Sequence, residues 1–230
     1  SIDLAEDRGL FAQVCQQLEL QIPQSGMVAD FKSAREVAQR IGYPLICRPS
    51  YVLGGRRMEI IEDEEELSSY FLRHGSFISN DKLCLMDQFL DRALEVDVDL
   101  VRGLDWVLVG GVIEHIEAAG VHSGDSMGVI PPQRLKDDTL EKIEQLSVAL
   151  ANKLNVIGFL NLQLAIKNDQ IFILEANPRS SRSVPFMAKA TSLPLIDLGV
   201  LAMLGWRKDQ IKPEQYDWKK ISHVAVKGVV

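Results

Sequence analysis

The chain has 230 residues, 47% of them hydrophobic and 25% charged, with a net charge of −7. That is the composition of a globular protein with ample core, arranged as one large domain or two small ones. Its interspersed, acid-leaning charge excludes a nucleic-acid binder with a basic face, and no apolar run reaches the roughly 20 residues of a membrane span.

The three cysteines, Cys15, Cys47 and Cys84, fit neither a disulfide framework nor a zinc site, and Cys47 and Cys84, in apolar strand-like runs, read as reduced core residues of a cytoplasmic protein. No signal peptide is expected. The opening Ser1-Ile2-Asp3, without an initiator Met, reads as a piece of something longer.

Asp7 is placed to cap a helix over about 8–20, with Leu10, Phe11, Val14 and Leu18 on its apolar face. Arg8 lies in the first turn, where a cation opposes the helix dipole. It is either a solvated arginine or a cation kept for an anion. Ser33-x-x-Glu36 reads as a capping box, and Gly42 closes the helix that follows.

Residues 44–50, PLICRPS, predict a buried strand interrupted by Arg48. An arginine there needs an anionic partner, either a structural carboxylate or a ligand phosphate. Next comes YVLGGRR, in which Gly54 and Gly55 either form a plain hairpin turn or bring backbone amides close to phosphate oxygens. No Gly-Lys-Ser/Thr follows, so this is not a Walker A loop. Residues 58–61 return as a strand, and Asp63 with Glu66 starts a helix ending near Gly75.

Strands are predicted over 83–89, 94–101 and 106–113, the last two as antiparallel partners. In the second, Glu95, Asp97 and Asp99 alternate with Leu94, Val96, Val98 and Leu100. Asp97 and Asp99 are expected to face solvent, while Glu95 at the strand mouth can accept hydrogen bonds from ribose hydroxyls. Residues 114–126, EHIEAAGVHSGDS, form a polar, glycine-punctuated loop carrying His115, His122, Ser123 and Asp125. A long ordered loop on a sheet is frequently functional. Pro131-Pro132 breaks the chain ahead of a helix over 138–154, which turns Leu140, Ile143, Leu146, Leu150 and Leu154 inward.

Residues 159–177 predict a hairpin. Leu160, Leu162, Leu164 and Ile166 share one face and Asn161, Gln163 and Ala165 the other. Glu175 and Asn177 end the second strand on one side, and a three-residue turn at 168–170 would place Gln163 opposite Glu175. A carboxylate between two amide oxygens suits Mg²⁺, which completes its shell with phosphates and water. Arg179 and Arg182 follow, and guanidinium groups beside such a site suit phosphate charge. Helices over 185–191 and 194–204 come next, the second closed by Gly205. The mixed, charged tail 206–230 reads as a linker.

The segments RPSYVLGGRRMEI, EVDVD, EHIEAAGVHSGDS, NLQLAIKN and LEANPRSSRSVPFMAKAT, with Asp7-Arg8, resemble the large chain of carbamoyl-phosphate synthetase over about residues 7 to 205. Within it SYVLGGRRMEI and EHIEAAGVHSGDS resemble the second, carbamate-phosphorylating half. The resemblance implies an α+β ATP-grasp fold, two lobes gripping ATP. An N-terminal helix over 1–21 would lead into a small lobe over 22–88 with the Gly54-Gly55 loop as lid, then a larger lobe over 89–205.

The resemblance also implies roles. Arg8 and Arg48 lie along the phosphates, where many relatives use lysine. Gln88, Leu90 and Glu95 match adenine and ribose contacts, with Gln88 departing from the histidine of some relatives. Gly120, Val121, His122 and Ser123 match the loop near phosphates and acceptor, with His122 among the catalytic residues. Gln163, Glu175 and Asn177 match ligands of Mg²⁺ or Mn²⁺, and Arg179 and Arg182 the residues holding carbamate and its developing phosphate. The implied substrates are carbamate and ATP. The implied partners are the remaining domains of the large chain and a glutaminase small subunit. The rival readings are another ATP-grasp carboxylate ligase, such as a biotin carboxylase, and a non-catalytic nucleotide-binding module.

Overall fold

A computed structural model describes residues 2–49, 58–79, 82–120 and 126–228. The chain divides into two compact units, Pro23–Asp91 and the combination of Ser1–Ile22 with Arg92–Val230. Helices α1 (Ile2–Glu6) and α2 (Arg8–Gln17) open the chain. Asp7 caps α2 as expected, its carboxylate accepting the Leu10 amide at 2.9 Å.

The smaller unit holds β1 (Ser25–Val28), α3 (Phe31–Ile41), β2 (Leu45–Pro49), β3 (Glu59–Ile61), α4 (Glu64–His74) and β4 (Cys84–Gln88). Its antiparallel sheet runs β1-β4-β2-β3. Ala34, Ala38, Leu67 and Tyr70 from the helices meet Val28, Leu45, Cys47, Ile61 and Met86 from the strands in one core. Asp63 caps α4 through the Glu66 amide at 2.9 Å.

The cap of α3 differs from the expected Ser33/Glu36 box. Asp30 accepts the Ser33 amide at 2.7 Å, and Ser33 Oγ accepts the Asp30 amide at 3.3 Å. The same three-residue spacing recurs one turn earlier, and starting the helix there lets Phe31 pack against the core. Gly42 ends the helix at φ 82°. The anionic partner of Arg48 is a carboxylate of the same sheet. Its Nη2 donates to Asp87 Oδ2 on the neighbouring strand β4.

The larger unit continues with β5 (Leu94–Arg102), β6 (Val107–His115), β7 (Gly128–Ile130), α5 (Asp137–Leu154), β8 (Gly158–Lys167), β9 (Gln170–Asn177), α6 (Val184–Thr191), α7 (Leu195–Met203), α8 (Lys208–Ile211) and β10 (Ala225–Lys227). Its six-stranded antiparallel sheet is ordered β10-β7-β6-β5-β8-β9. Leu160, Leu162 and Leu164 on one face of β8 are fully buried in a core with Ile143, Leu150 and Leu154 of α5. On the face of β8 that carries Phe159, α7 lies so close that a Cβ added at Gly199 would sit 2.1 Å from the Phe159 ring.

Residues 206–228 do not behave as the expected linker. Strand β10 pairs with β7, setting Ala225 opposite Ile130. Trp218 is buried and its indole N–H donates to Glu144 of α5 at 2.8 Å. The backbone carbonyl of Trp206 accepts the indole N–H of Trp106 at 2.9 Å. Among the described residues no single helix is long and apolar enough to cross a membrane.

Candidate functional site

The β8–β9 hairpin brings Gln163 opposite Glu175, as the sequence predicts, but by another route. The turn has two residues, Asn168 and Asp169, both left-handed at φ 52° and 60°, with Lys167 paired to Gln170. Such a turn matches the twist of its strands. Regular pairing then runs to Leu164 and Ile173, where the register shifts, and Gln163 pairs with Glu175 across the shift. Leu174 is the extra residue of a β-bulge. Its side chain is 38% exposed, while Ile173 and Ala176 on either side of the Leu174-Glu175 pair are buried. Glu175 is exposed, and Gln163 and Asn177 are half-buried.

Two polar rows cross the sheet at this end. Asp97 of β5 is the register partner of Gln163, itself opposite Glu175; Asp99 is the partner of Asn161, itself opposite Asn177. Directly paired residues project to the same face. All six polar side chains therefore share the face of β8 that carries Gln163.

The expectation that Asp97 and Asp99 face solvent is overturned, since they are 4% and 2% exposed. Donors from distant parts of the sequence make that burial tolerable. Asp99 Oδ1 accepts from Ser181 Oγ at 2.7 Å and Asn161 Nδ2 at 3.1 Å, and Asp99 Oδ2 accepts from Ser183 Oγ. Burial pushes the Asp99 carboxyl above the usual carboxylate range, with the hydrogen bonds from Ser183, Ser181 and Asn161 pulling the other way. Asp97 Oδ2 bonds His115 Nε2 at 3.1 Å, while Asp97 Oδ1 is buried with no hydrogen-bond partner among the described residues.

His115 is 3% exposed and sits between two carboxylates, with Nδ1 3.5 Å from Glu95 Oε2. Burial opposes its charge, but the bonds to Asp97 and Glu95 outweigh burial and raise the imidazole to about 9. It is held as an imidazolium at neutral pH. Glu95 Oε1 accepts the Gly120 amide at 2.9 Å. The carboxylate expected to meet a ribose is thus bonded to the backbone of Gly120. Gly120 itself is exposed at φ 95°.

Arg179 and Arg182 follow β9 and are exposed. Arg179 donates to Ser180 O at 3.2 Å and to Asn177 Oδ1 at 3.4 Å. Arg182 has no hydrogen-bond or ion-pair partner among the described residues. Arg8, the first residue of α2, is exposed in the larger unit. Arg48, Gln88 and Leu90 belong to the smaller unit, where Gln88 closes β4 and Leu90 is buried. Gly54, Gly55, Val121, His122 and Ser123 lie outside the described residues. No three His, Cys, Asp or Glu side chains among the described residues gather as a metal cage. The oxygen set of Gln163, Glu175 and Asn177 has a single carboxylate.

Sequence reasoning missed Asp99, Asn161, Ser181 and Ser183. The available signal was the Ser-x-Ser that follows the Asn-Pro-Arg run.

Comparison with known proteins agrees with this architecture. The fold resembles a biotin carboxylase–beta-gamma-ATP complex from Campylobacter jejuni, with a TM-score of 0.75 and 18% identity, covering 89% of this chain and 47% of that one. It also resembles N5-carboxyaminoimidazole synthase from Aspergillus clavatus, in complex with ADP and 5-aminoimidazole ribonucleotide, at a TM-score of 0.78 and 14% identity over 98% of this chain and 56% of that one. These likenesses establish an α+β, ATP-grasp fold.

By sequence, the chain is 44% identical over 230 residues to the carbamoyl phosphate synthase large chain of Archaeoglobus fulgidus, covering 100% of this chain and 21% of that protein. It is 48% identical over 235 residues to the large chain from Methanothermobacter thermautotrophicus, covering 100% of this chain and 22% of that protein. It thus spans about a fifth of the length of these relatives. Residues 7–206 match the ATP binding domain of the carbamoyl-phosphate synthase L chain, and the chain belongs to that family.

Proposed function

We propose that this chain is the ATP-grasp domain of the second half of a carbamoyl-phosphate synthase large chain, and that it phosphorylates carbamate. The observation that carries the reading is the register of the β8–β9 hairpin. It sets Gln163 opposite Glu175, with Asn177 two residues on and the Arg179/Arg182 segment directly after. SYVLGGRRMEI and EHIEAAGVHSGDS support the assignment to the second half.

In this reaction a carbamate oxygen attacks the γ-phosphorus of ATP in line. The bond to the β–γ bridging oxygen breaks, and ADP leaves with the electron pair. Both reactants are anions, so the protein's task is to position them and offset their repulsion. Arg179 and Arg182 supply fixed positive charge where carbamate and the transferring phosphoryl group meet. Gln163, Glu175 and Asn177 fit Mg²⁺ or Mn²⁺, because hard oxygen donors with one carboxylate leave coordination positions for phosphate and water. When bound, the ion neutralises charge on the phosphate oxygens. In the longer chain this step follows carbamate formation from bicarbonate and glutamine-derived ammonia, with a glutaminase subunit as partner.

The test is the reverse half-reaction. The chain is incubated with ADP, carbamoyl phosphate and MgCl₂, and ATP is measured. ATP formation that stops on chelation is expected. Saturable MgATP binding with no ATP formed would replace this reading with a nucleotide-binding module that lacks catalysis.

A further inference from the structure

Asp99 stands in the middle of β5, with β8 on one side and β6 on the other. Its Oδ1 takes the Ser181 and Asn161 donors, and its Oδ2 takes the Ser183 hydroxyl. The two serine Oγ atoms lie 2.6 Å apart, and the Ser183 amide donates to Ser181 Oγ at 3.2 Å. The bonds from the two serines to Asp99 span 82 and 84 positions of sequence and tie the segment after β9 to the interior of the sheet.

The segment alternates between anchor and tool. Ser181 is half-buried and Ser183 buried, while Arg182 between them is exposed, as is Arg179 before them. Asn161, the third donor to Asp99, is also the register partner of Asn177 at the end of β9. One carboxylate therefore anchors both the strand end that carries Asn177 and the turn that carries the two arginines.

We propose that Asp99 is a positioning residue. Through Ser181 and Ser183 it fixes the backbone of residues 178–183, and so aims Arg179 and Arg182 at an anionic acceptor. A long cation on a loose segment loses much of its binding energy to the ordering of that segment, and a pinned backbone removes this cost in advance. Identifying the acceptor as carbamate or carbamoyl phosphate rests on the function proposed above.

The experiment uses two variants of the 230-residue chain, the double substitution Ser181→Ala/Ser183→Ala and the single Asp99→Ala. Should Asp99→Ala not fold, the serine pair decides alone. Hydrogen exchange reports on the backbone. ATP formation from ADP and carbamoyl phosphate gives KM and kcat, and calorimetry gives MgADP affinity.

The expected result is exchange at residues 179–184 faster by about tenfold or more, with the rest of β5 and β8 unchanged, as for the loss of charge-assisted hydrogen bonds. The KM for carbamoyl phosphate should rise by about tenfold while the MgADP affinity stays within about twofold. Unchanged exchange in the serine double variant would overturn the proposal. Equal losses of MgADP affinity and carbamoyl phosphate affinity would also overturn it, because they would mark a general structural role. If the unsubstituted chain forms no ATP, the proposed function fails by itself, and exchange still decides whether Asp99 pins the segment.

Discussion

Gln163 and Glu175 face each other across the β8–β9 ladder because of one extra residue, Leu174, not because of the turn. The bulge lets a tight two-residue turn coexist with the register that a longer turn would have given. It also turns Leu174 and Glu175 outward together.

Glu175 is exposed, so its carboxylate adds little to the fold. Glu175→Gln should lower Mg²⁺-dependent ATP formation by about a hundredfold or more, by analogy with the loss of groups that tune a metal site. Thermal unfolding should be nearly unchanged. An active Glu175→Gln variant would sink the metal assignment.

His115 carries a pH dependence. Its folded-state value is raised from 6.5 to about 9. Between those values the folded state holds a proton that the unfolded state has released, so stability falls as pH rises. The contribution is fully present below about pH 6.5 and lost as pH passes through about 9, with a size of at most about 3 kcal/mol. Glu95 and Asp97 face the ring, and Arg134 donates to the His115 carbonyl. Urea unfolding followed by tryptophan fluorescence reads the larger unit specifically, since Trp106, Trp206 and Trp218 all lie there. His115→Gln should flatten the pH profile over that window.

Gly199 admits no side chain. An added Cβ would lie 2.1 Å from the Phe159 ring. Gly199→Ala should destabilise the larger unit by about 1–3 kcal/mol through overpacking. Combining it with Phe159→Leu should recover part of that loss, a coupling that a double-mutant cycle in urea measures.

The two candidate caps of α3 separate cleanly. Asp30→Ala should lower the urea midpoint of the smaller unit and speed amide exchange in the first turn of α3. Glu36→Ala, away from the observed cap, should change stability by no more than about 0.5 kcal/mol.

What the sequence revealed, and what it did not, follows the range of the interactions. Period-two alternation placed β5 and β8, apolar runs placed β6 and β9, and the apolar stripe of α5 placed Ile143, Leu150 and Leu154 in the core. These are local signals. Asp97 and Asp99 were misread because alternating carboxylates on a strand look like a wet face. Their burial depends on His115, Ser181 and Ser183, which only the folded chain brings to them. The cap of α3 slipped by one turn because Asp30-x-x-Ser33 and Ser33-x-x-Glu36 overlap at one serine. The elements of the tail, four residues in α8 and three in β10, are too short for any periodicity to show. Of the candidate site, the Gln163–Glu175 pairing was legible, whereas the posts that hold its surroundings were not.

The match to the ATP binding domain stops at residue 206, yet the sheet is completed only by β10. Anyone excising this domain at that limit would remove the tryptophan seated on Glu144 and the strand that shields the edge of β7. A bare strand edge invites pairing with other chains. The sound place for a cut is therefore past Lys227, and a shorter product should clump rather than stay monodisperse.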